Sequence, residues 1–488
     1  MTFEIVFVLL SLLGMMAALI ADKMRPGMVL FSVVVLFLCV GILTPKEMLE
    51  GFSNKGMITV ALLFLVSEGI RQSGTLGQVI KKLLPQGKTT VFKAQLRILP
   101  SVAFISAFLN NTPVVVIFAP IIKHWAKSVK LPATKFLIPL SYVTILGGIC
   151  TLIGTSTNLV VHGMILEAGY EGFTMFELGK VGIFIAIAGI IYLFIFSKRL
   201  LPDARPDTAV PDEEVEEGEK LHRVEAVLGA RFPGINKKLS DFNFQRHYGA
   251  EVKEIKTRNG QRYVDHLEDV VLREGDTLVV MADDTFIPTW GESSVFVLLT
   301  NGNDPDTSGK KKRWLALILL VLMIVGATVG ELPATKEMFP DIKLDMFFFV
   351  CITTIIMAWT NIFPARKYTK YISWDILITI ACAFAISKAM VNSGVADCVA
   401  GFIIGLSDDY GPHVLLAILF VITNLFTELI TNNAAAALAF PLALSISAQL
   451  GVSPTPFFVV ICMAASASFS TPIGYQTNLI VQGIGNYK

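Results

Sequence analysis

Long apolar runs recur along most of the chain and are separated by short polar segments. Nine of them are long enough to cross the roughly 30 Å hydrocarbon core of a bilayer as helices. The pattern therefore predicts an all-α polytopic membrane protein. The nine runs cover approximately residues 3–21, 27–43, 56–71, 136–165, 180–198, 313–331, 344–362, 373–391 and 456–484.

Two further apolar stretches are each interrupted midway by a pair of asparagines. They cover residues 97–126 and 412–450. We interpret each stretch as a re-entrant helical hairpin, with both arms entering and leaving the membrane on one side. The asparagines are then expected at the hairpin tips, where backbone leaves the helix and must be buried in protein or line a cavity.

Residues 201–308 have a different composition and predict a soluble insert. The segment from Asp203 to Lys220 is rich in proline and acidic residues, which is typical of a flexible linker. The remainder predicts a small α+β domain from its alternation of β-branched and charged residues and from its turn residues. Strands are predicted at His222–Leu228, Ala250–Thr257 and Thr277–Met281, a helix at Asn236–Asp241, and turns at Arg258-Asn259-Gly260 and Glu274-Gly275-Asp276.

Basic residues on both sides of the insert predict its position relative to the membrane. Lys198 and Arg199 precede it, and residues 310–313 are all lysine or arginine. By the positive-inside rule the insert is cytoplasmic. Hairpin one then enters from the cytoplasm and hairpin two from outside. We expect a multi-pass protein of a bacterial inner membrane, with a first repeat at 1–200, the linker and insert at 201–308, and a second repeat at 309–488.

Composition supports the membrane assignment and excludes several classes of protein. Of the 488 residues, 53% are hydrophobic and 16% are charged, and the mean hydropathy is +0.64. This excludes an ordinary cytosolic enzyme. The net charge of +1 gives no indication of a nucleic-acid partner. The six cysteines are scattered through apolar stretches, which predicts neither disulfides nor a zinc site.

The two membrane halves carry the same short motifs in the same order. Each has an asparagine followed by proline nine residues later, a hydroxyl residue five positions earlier, and a Thr-Asn-Leu motif whose asparagine lies 46 or 47 residues later. Because the hairpins enter from opposite sides, the repeat is predicted to be inverted, as in secondary transporters. The matched residues are Ser106, Asn111, Pro120 and Asn158 in the first half and Thr427, Asn432, Pro441 and Asn478 in the second.

Glycine-containing motifs predict helices that break at membrane depth in both halves. They are Gly147-Gly148 and Gly154-Thr155-Ser156-Thr157 in the first half and Thr471-Pro472-Ile473-Gly474 in the second. Broken helices expose carbonyl oxygens that suit a sodium ion, and half-helix N-termini that suit an anion. Each hairpin tip with its broken helix is expected to supply one cation site, with the substrate between the two.

The same residues also have a purely structural interpretation. Serine, threonine and glycine commonly pack and form hydrogen bonds between membrane helices, and paired asparagines can cap helices. Their repeated occurrence with glycine breaks favours a functional role for Asn111, Asn158, Asn432 and Asn478.

Four ionisable residues lie within apolar stretches, where such groups are functional candidates by default. Glu68 and Lys388 occupy equivalent positions in the repeat and are also consistent with a structural ion pair. Glu428 follows Thr427 and is consistent with a proton or cation ligand. His162 is expected to be a packing residue rather than a proton relay.

Four segments carry a resemblance to a known family. NNTPVVVIFAP, GTSTNLVV, ELITNNAAAALAFP and STPIGYQTNLIVQG resemble the paired tip and helix-break motifs of the divalent anion:sodium symporter family, within the ion transporter superfamily. The resemblance implies an elevator-type, dimeric carrier with two sodium sites. It implies sodium ligands at Ser106, Asn111 and Gly154 and at Thr427, Asn432 and Gly474, with the substrate near Asn111, Thr112, Asn432 and Asn433.

The insert resembles a second known module. Its segments VLGARFPGINKKLSDFNFQRHYGAEVKEIKTRNGQRY and LREGDTLVVMADD are similar to a TrkA C-terminal domain. This implies a regulatory module with an unidentified small ligand. The combination of the two resemblances is typical of the sulfate-transporter branch of the symporter family.

The sequence therefore predicts a sodium-coupled carrier of a small divalent anion, with sulfate favoured and no enzyme activity. A dicarboxylate symporter or a sodium/proton antiporter of the same fold, with Glu428 titrating, remains an alternative. A membrane nutrient sensor is an alternative from another class. No nucleophile–base pair or histidine-rich cluster indicates an intramembrane enzyme.

The motifs also differ from the family pattern. The tips are Asn-Asn-Thr and Thr-Asn-Asn rather than Ser-Asn-Thr, and Gly-Tyr-Gln-Thr-Asn replaces the commoner Gly-Thr-Pro-Pro-Asn, which argues against a dicarboxylate. In the first half a further span at 180–198 follows the break, whereas the second half stops at Lys488. We expect either that a last span is missing or that the sequence is truncated.

Overall fold

The computed structural model is largely helical and contains one antiparallel sheet. It describes residues 2–21, 23–203, 222–229, 231–258, 261–283, 286, 290, 295–300, 310–405, 411–471, 474–485 and 487. We call residues 3–200 the first helical half, 222–300 the sheet region and 310–487 the second helical half. Most of the predicted linker lies outside the described residues.

Helices lie at each predicted span of the first helical half, and two consecutive helices lie where its hairpin is predicted. Helix ends coincide with capping residues, such as Pro26 at the start of the second helix and left-handed Gly41 after its end. The helices are α1 Phe3–Ile20, α2 Pro26–Val40, α3 Pro45–Glu50, α4 Lys55–Gln72, α5 Thr75–Leu83, α6 Val91–Ser106, α7 Asn111–Ser128, α8 Thr134–Gly148, α9 Ser156–Glu167 and α10 Gly179–Leu200.

The second helical half contains two consecutive helices where the second hairpin is predicted. Its second hairpin arm ends at Leu450, before left-handed Gly451. Together with one short helix of the sheet region, α11 Phe244–Tyr248, the remaining helices are α12 Lys310–Gly330, α13 Pro333–Met338, α14 Met346–Trp359, α15 Tyr368–Tyr371, α16 Trp374–Asn392, α17 Val395–Gly405, α18 Pro412–Leu429, α19 Asn432–Leu450, α20 Thr455–Ser466 and α21 Gln476–Gly485.

Seven helical segments among the described residues are long and apolar enough to cross a membrane. Their outer surfaces carry exposed apolar side chains; on α10, Phe184, Ile187, Ile191 and Ile195 are all exposed and follow one helical face. Such a face requires hydrocarbon rather than water as its solvent. The seven are Phe3–Ile20, Pro45–Gln72, Gly179–Leu200, Lys311–Gly330, Trp374–Asn392, Pro412–Leu429 and Asn432–Leu450.

Two apolar runs are broken where glycine motifs predicted a break. The run at 136–165 is divided into α8 and α9, with non-helical backbone from Ile149 to Thr155. The run at 456–484 is divided into α20 and α21, with described non-helical backbone at residues 467–471 and 474–475. The helix α9 packs against α19, and α21 packs against α7 and α8. Each break therefore lies against the hairpin of the other helical half.

The sheet region is an antiparallel sheet of five described strands in the order β3-β2-β4-β1-β5. Its core is aromatic and centres on Phe232, Phe244, Tyr248 and Phe296. The predicted strands are confirmed, with shifts of one residue at the ends. The strands are β1 His222–Leu228, β2 Glu251–Lys256, β3 Arg262–Tyr263, β4 Thr277–Ala282 and β5 Phe296–Thr300.

One element of the sheet region differs from prediction. The helix predicted at Asn236–Asp241 is wrong: the segment forms turns, and Lys238 pairs with Val271 in an isolated bridge. Its backbone is bonded to the neighbouring loop, with Asn236 donating to Leu272 at 2.8 Å and Leu239 to Val270 at 3.1 Å. The turn at Gly275 is confirmed, with a φ of +85°, whereas Asn259 and Gly260 lie outside the described residues.

Candidate functional site

Both hairpins turn between a buried hydroxyl residue and a helix that begins with asparagine. In the first, α6 ends at Ser106 and α7 begins at Asn111. In the second, Thr427 lies in the last turn of α18 and α19 begins at Asn432. The side chains of Ser106, Asn111 and Thr427 are fully buried. A polar cluster of this kind inside an apolar protein must satisfy its hydrogen bonds internally.

Each hydroxyl at a tip bonds to the helix that precedes the break. Ser106 Oγ donates to the carbonyl oxygen of Thr144 at 2.9 Å. Thr427 Oγ1 donates to the carbonyl oxygen of Ala465 at 2.6 Å. In both cases the carbonyl lies 38 residues after the hydroxyl. The repeated motif thus corresponds to a repeated contact.

The asparagines of the Thr-Asn-Leu motifs form hydrogen bonds to the backbone of the breaks. The side-chain nitrogen of Asn158 donates to the carbonyl oxygens of Gly148 and Thr151, at 3.4 and 2.8 Å. That of Asn478 donates to those of Ser468 and Thr471, at 2.8 and 3.3 Å. The acceptors lie ten and seven residues earlier in both halves. Asn158 and Asn478 therefore stabilise the non-helical backbone of the two breaks.

Asn111 lies where the first tip, the first break and the second break meet. Its amide is 2.8 Å from Ser106 Oγ and 2.6 Å from the hydroxyl oxygen of Tyr475. The amide orientation that satisfies all neighbours directs Nδ2 to the carbonyl oxygens of Thr144 and Gly154, at 3.0 and 3.3 Å. Its Oδ1 then accepts from the Tyr475 hydroxyl. One side chain thus joins both helical halves.

The tip of each half contacts the break of the other. Thr112 Oγ1 donates to Gln476 Oε1 at 3.3 Å, from the first tip to the second break. Asn432 Nδ2 donates to Thr157 Oγ1 at 2.7 Å, from the second tip to the first break. Asn433 Oδ1 accepts from the hydroxyls of Ser156 and Thr157, at 3.2 Å each. The predicted residues Asn111, Thr112, Asn432 and Asn433 are therefore all brought to one junction between the halves.

Four helices begin at this junction. They are α7, α9, α19 and α21, whose first residues are Asn111, Ser156, Asn432 and Gln476. The first turn of a helix presents unpaired N–H groups and the positive end of the helix dipole. Four such ends, together with hydroxyl and amide side chains, can bind a small anion without any lysine or arginine.

The Glu428 carboxylate accepts hydrogen bonds from consecutive backbone N–H groups at the second break. Its Oε1 accepts from the backbone N–H groups of Phe469 and Ser470 at 3.0 Å each, and its Oε2 from that of Thr471 at 2.9 Å. Ser468 Oγ donates to Oε2 at 3.3 Å. The equivalent position in the first half is Ala107. The second break is therefore bonded to an acidic side chain that the first break lacks.

The two predicted cation sites differ in how completely they are assembled. Ser106, Asn111 and the carbonyl oxygen of Gly154 lie together in the first half. In the second, Gly474 packs so closely on Thr427 that a Cβ there would lie 2.7 Å from its carbonyl oxygen. Asn432 instead bonds to Thr157 of the first half. Carbonyl and hydroxyl oxygens of this kind are the donors that hard cations take.

Two other ionisable candidates, Glu68 and His162, have neighbours outside the junction. Glu68 is bonded to Arg71 at 2.6 Å and to Gln72 on its own helix, which does not support the alternative of a structural pair with Lys388. His162 is mostly buried and lies against Gly172, where an added Cβ would collide with the imidazole ring. These positions form no part of the junction.

Sequence reasoning missed two side chains that line the junction. Tyr475 is only 7% exposed, and its hydroxyl lies between the Asn111 amide and Thr155 Oγ1, which is 3.0 Å away. Gln476 accepts from Thr112. Their position in the sequence could have indicated this role. They directly follow Gly474, as Thr155 and Ser156 directly follow Gly154 in the first half.

Comparison with known proteins shows similarity to transporters. The sequence model of a family described as "Citrate transporter" matches residues 16–448, and again residues 341–487. An uncharacterized transporter of Synechocystis is 28% identical over 93% of this chain and 88% of its own length. A putative sulfur deprivation response regulator of Chlamydomonas reinhardtii is 27% identical over 94% of this chain and 93% of its own.

A third relative is named for its transport activity. Sodium/sulfate cotransporter 2 of Chlamydomonas reinhardtii is 30% identical over 55% of this chain and 30% of its own length. The family match covers both hairpins and both broken helices, so the shared sequence includes the junction described above. The protein is therefore a multi-pass membrane protein that belongs to the citrate transporter family, within the ion transporter superfamily.

Proposed function

We propose that the protein is a sodium-coupled carrier of a small divalent anion, with sulfate as the favoured substrate. The observation that carries the proposal is the convergence of four helix N-termini at one junction between the halves. Each supplies N–H groups and a positive dipole end, which suit a small oxyanion. The similarity to sodium/sulfate cotransporters supports sulfate within this class.

Sodium coupling is supported by the donors beside the anion-binding groups. The carbonyl oxygens of Gly154 and Thr144 lie next to Ser106 and Asn111. A sodium ion at this place would require the opposite amide orientation of Asn111, with Oδ1 rather than Nδ2 beside these carbonyl oxygens. The carbonyl of Thr427 lies against Gly474 in the other half. We propose one sodium ion at each of these places, bound before the anion. The added positive charge and the ordered tips would complete the anion site.

We further propose that the two helical halves are inverted repeats at 1–200 and 309–488, each with a re-entrant hairpin. During transport, one part of the membrane region would carry the site across the bilayer in an elevator-type movement. The protein would act as a homodimer in a bacterial inner membrane. Residues 201–308 would be a cytoplasmic linker and TrkA C-terminal-like domain that binds a small ligand. The repeated hydrogen bonds of the tips and breaks support the repeat.

A sodium/proton antiporter of the same fold is less well supported. The candidate for proton exchange, Glu428, accepts four hydrogen bonds, three of them from backbone amides. An exchanging proton would have to reach a carboxyl group whose two oxygens are already engaged by these donors. A dicarboxylate symporter requires more room at the junction than a sulfate carrier.

A membrane nutrient sensor is a second candidate function. The relative named as a putative sulfur deprivation response regulator matches nearly the full length of the chain. In such a protein the junction would bind the anion and residues 201–308 would pass on the signal. Tight binding of sulfate without its accumulation would distinguish the sensor from the carrier.

Radiolabelled sulfate uptake into proteoliposomes tests the proposal directly. The full chain is reconstituted with an inward sodium gradient, a proton gradient or neither, and with unlabelled phosphate, succinate and citrate as competitors. We expect uptake that requires the sodium gradient. Substituting Asn111→Ala or Asn432→Ala should lower it about tenfold, because losing a hydrogen bond near a charged ligand costs about 1.5–3 kcal/mol.

The matched control for these variants is Asn392→Ala. The Asn392 side chain bonds to the carbonyl oxygen of Ile42 and to Glu47, outside the junction. We expect uptake by this variant within about twofold of the unmodified protein, as is usual for an exposed substitution. Equal losses in all three variants would contradict the assignment of the site. Absence of sulfate uptake under every gradient would contradict the carrier proposal.

A further inference from the structure

The two breaks carry the same five-residue motif with two differences in size. The first is Gly154-Thr155-Ser156-Thr157-Asn158 and the second is Gly474-Tyr475-Gln476-Thr477-Asn478. Glycine, the second threonine and asparagine are shared. The second and third residues are small in the first half and large in the second. The first half therefore supplies a smaller residue that can be substituted at each equivalent position of the second half.

The two large side chains fill the space between the first tip and the second break. The Tyr475 hydroxyl oxygen is 2.6 Å from the Asn111 amide and 3.0 Å from Thr155 Oγ1, so the phenol crosses from one break to the other. Gln476 reaches Thr112 at the first turn of α7, at 3.3 Å. On the opposite side Ser156 and Thr157 make short contacts to Asn433. The large side chains of the second break therefore reduce the width of the site on that side.

One small cavity adjoins the junction. A cavity beside Asn110 and Ser156 has a volume of about 10 Å³ and is otherwise lined mainly by apolar side chains, including Val60 and Phe108. A space of that size holds about one water molecule. Sulfate does not fit this cavity, so an anion bound there displaces contacts between tip and break, and Tyr475 and Gln476 make such contacts.

We propose that Tyr475 and Gln476 select substrate by size: they restrict the site to compact oxyanions and exclude extended di- and tricarboxylates. The inference rests on the proposed transport function and deepens it. A tetrahedral anion presents oxygens in every direction to the four helix N-termini. A succinate or citrate needs the volume that the phenol ring and the longer amide occupy. A tight pocket discriminates against one additional methylene group by about tenfold or more.

The test replaces the two residues by those of the first half. Tyr475→Thr, Gln476→Ser and the double variant are made in the full chain and reconstituted in proteoliposomes. Uptake of labelled sulfate is measured in the presence of unlabelled succinate or citrate. We expect succinate to inhibit the double variant at concentrations about tenfold or more lower than the unmodified protein, and labelled succinate to be taken up.

Two further variants separate size from other effects. Tyr475→Phe keeps the ring and removes the hydroxyl, so it should still exclude succinate even if sulfate binds more weakly. Tyr192→Thr makes the same change as Tyr475→Thr at a side chain on α10 that is 52% exposed, and it should leave selectivity unchanged. Succinate inhibition gained equally by Tyr475→Phe would overturn the proposal, because the ring would then not be the determinant.

Binding separates a failure of this inference from a failure of the proposed function. Thermal stabilisation of the purified full chain by sulfate, succinate or citrate requires no transport. If the unmodified protein is stabilised by sulfate alone and the double variant also by succinate, the size proposal holds even without uptake. If succinate or citrate stabilises the unmodified protein as strongly as sulfate, or fails to stabilise the double variant, the proposal is wrong.

Discussion

Glu428 shows how one side chain makes two otherwise similar breaks different. Three backbone N–H groups and one hydroxyl donate to its carboxylate. Free amides at a break inside an apolar protein are costly unless an acceptor is present. The second break thus has an internal anion, whereas the first has Ala107 at the equivalent position. The charge also lies next to Thr427 and Gly474, where a sodium ion is proposed.

Substituting Glu428→Gln should therefore destabilise the second break. The new amide has one oxygen in place of two and directs its nitrogen toward a donor, so at least one N–H loses its partner. Such a loss costs about 1–3 kcal/mol. We expect a lower melting temperature in detergent and weaker stabilisation by sodium. The measurement is the thermal midpoint against sodium concentration.

Glu68→Gln is the control, because that carboxylate bonds to side chains rather than to backbone amides. Its midpoint should depend on sodium as that of the unmodified protein does. Sodium-driven proton movement in the unmodified protein that disappears in Glu428→Gln would instead support the antiporter.

At the scale of elements, the position of hairpin one depends on close contact between α6 and α8. Gly147 lies against Ala103, and a Cβ at Gly147 would overlap the carbonyl oxygen of that residue. Small residues allow this approach of two membrane helices. The contact places Ser106 within reach of the Thr144 carbonyl. The glycine thus positions the tip indirectly.

Gly147→Ala should separate α6 from α8 and weaken the site. Overpacking of this kind typically costs about 1–3 kcal/mol. We expect a lower thermal midpoint and reduced sulfate uptake. Gly14→Ala is a matched control on α1, where nothing lies within 4 Å of an added Cβ. A Gly147→Ala protein with the midpoint of the control would show that the two helices can separate without cost.

The positions of the helices and strands could be predicted from the sequence more fully than the contacts between them. Apolar run length predicted five of the seven segments that are long enough to cross a membrane, and the other two are the arms of the second predicted hairpin. Glycine motifs located both breaks. These features depend on the local backbone and on lipid as solvent. The helix predicted at Asn236–Asp241 was wrong because its backbone bonds to a loop around Leu272, which is distant in sequence. Tyr475 was missed for the same reason, since its partners Asn111 and Thr155 lie over 300 residues away.

At the scale of the molecule, the sheet region contacts the same helices that begin at the junction. Lys123, near the end of α7, forms a salt bridge of 2.8 Å with Glu225 of β1, which also faces Lys256 at 3.4 Å. The turn at Gly275 packs on Leu479 of α21, and a Cβ at Gly483 would lie 2.8 Å from Thr277 Oγ1. Two of the four helices that begin at the junction are therefore held by the sheet region, α7 at its far end and α21 along its length.

The ion pairs of Glu225 with Lys123 and Lys256 are expected to persist at all pH values near neutrality. Burial alone would raise the pKa of Glu225, but Lys123 and Lys256 outweigh it and lower the pKa from 4.5 to about 2. A carboxyl group with a lowered pKa in the folded state contributes stability that is complete above its unfolded pKa and is lost as the pH falls from there toward the folded value. For Glu225 this range is 4.5 to about 2.

Glu225→Gln should accordingly loosen the sheet region from α7 at neutral pH. Without the carboxylate, the ammonium groups of Lys123 and Lys256 repel each other across the contact. We expect faster hydrogen exchange in β1 and in the last turns of α7 and α21, measured at pH 7 on the full chain. Glu251→Gln is the control, because Glu251 is exposed and pairs with Lys253 on its own strand. Unchanged exchange in Glu225→Gln would mean that apolar packing at Leu479 is sufficient to hold the two regions together.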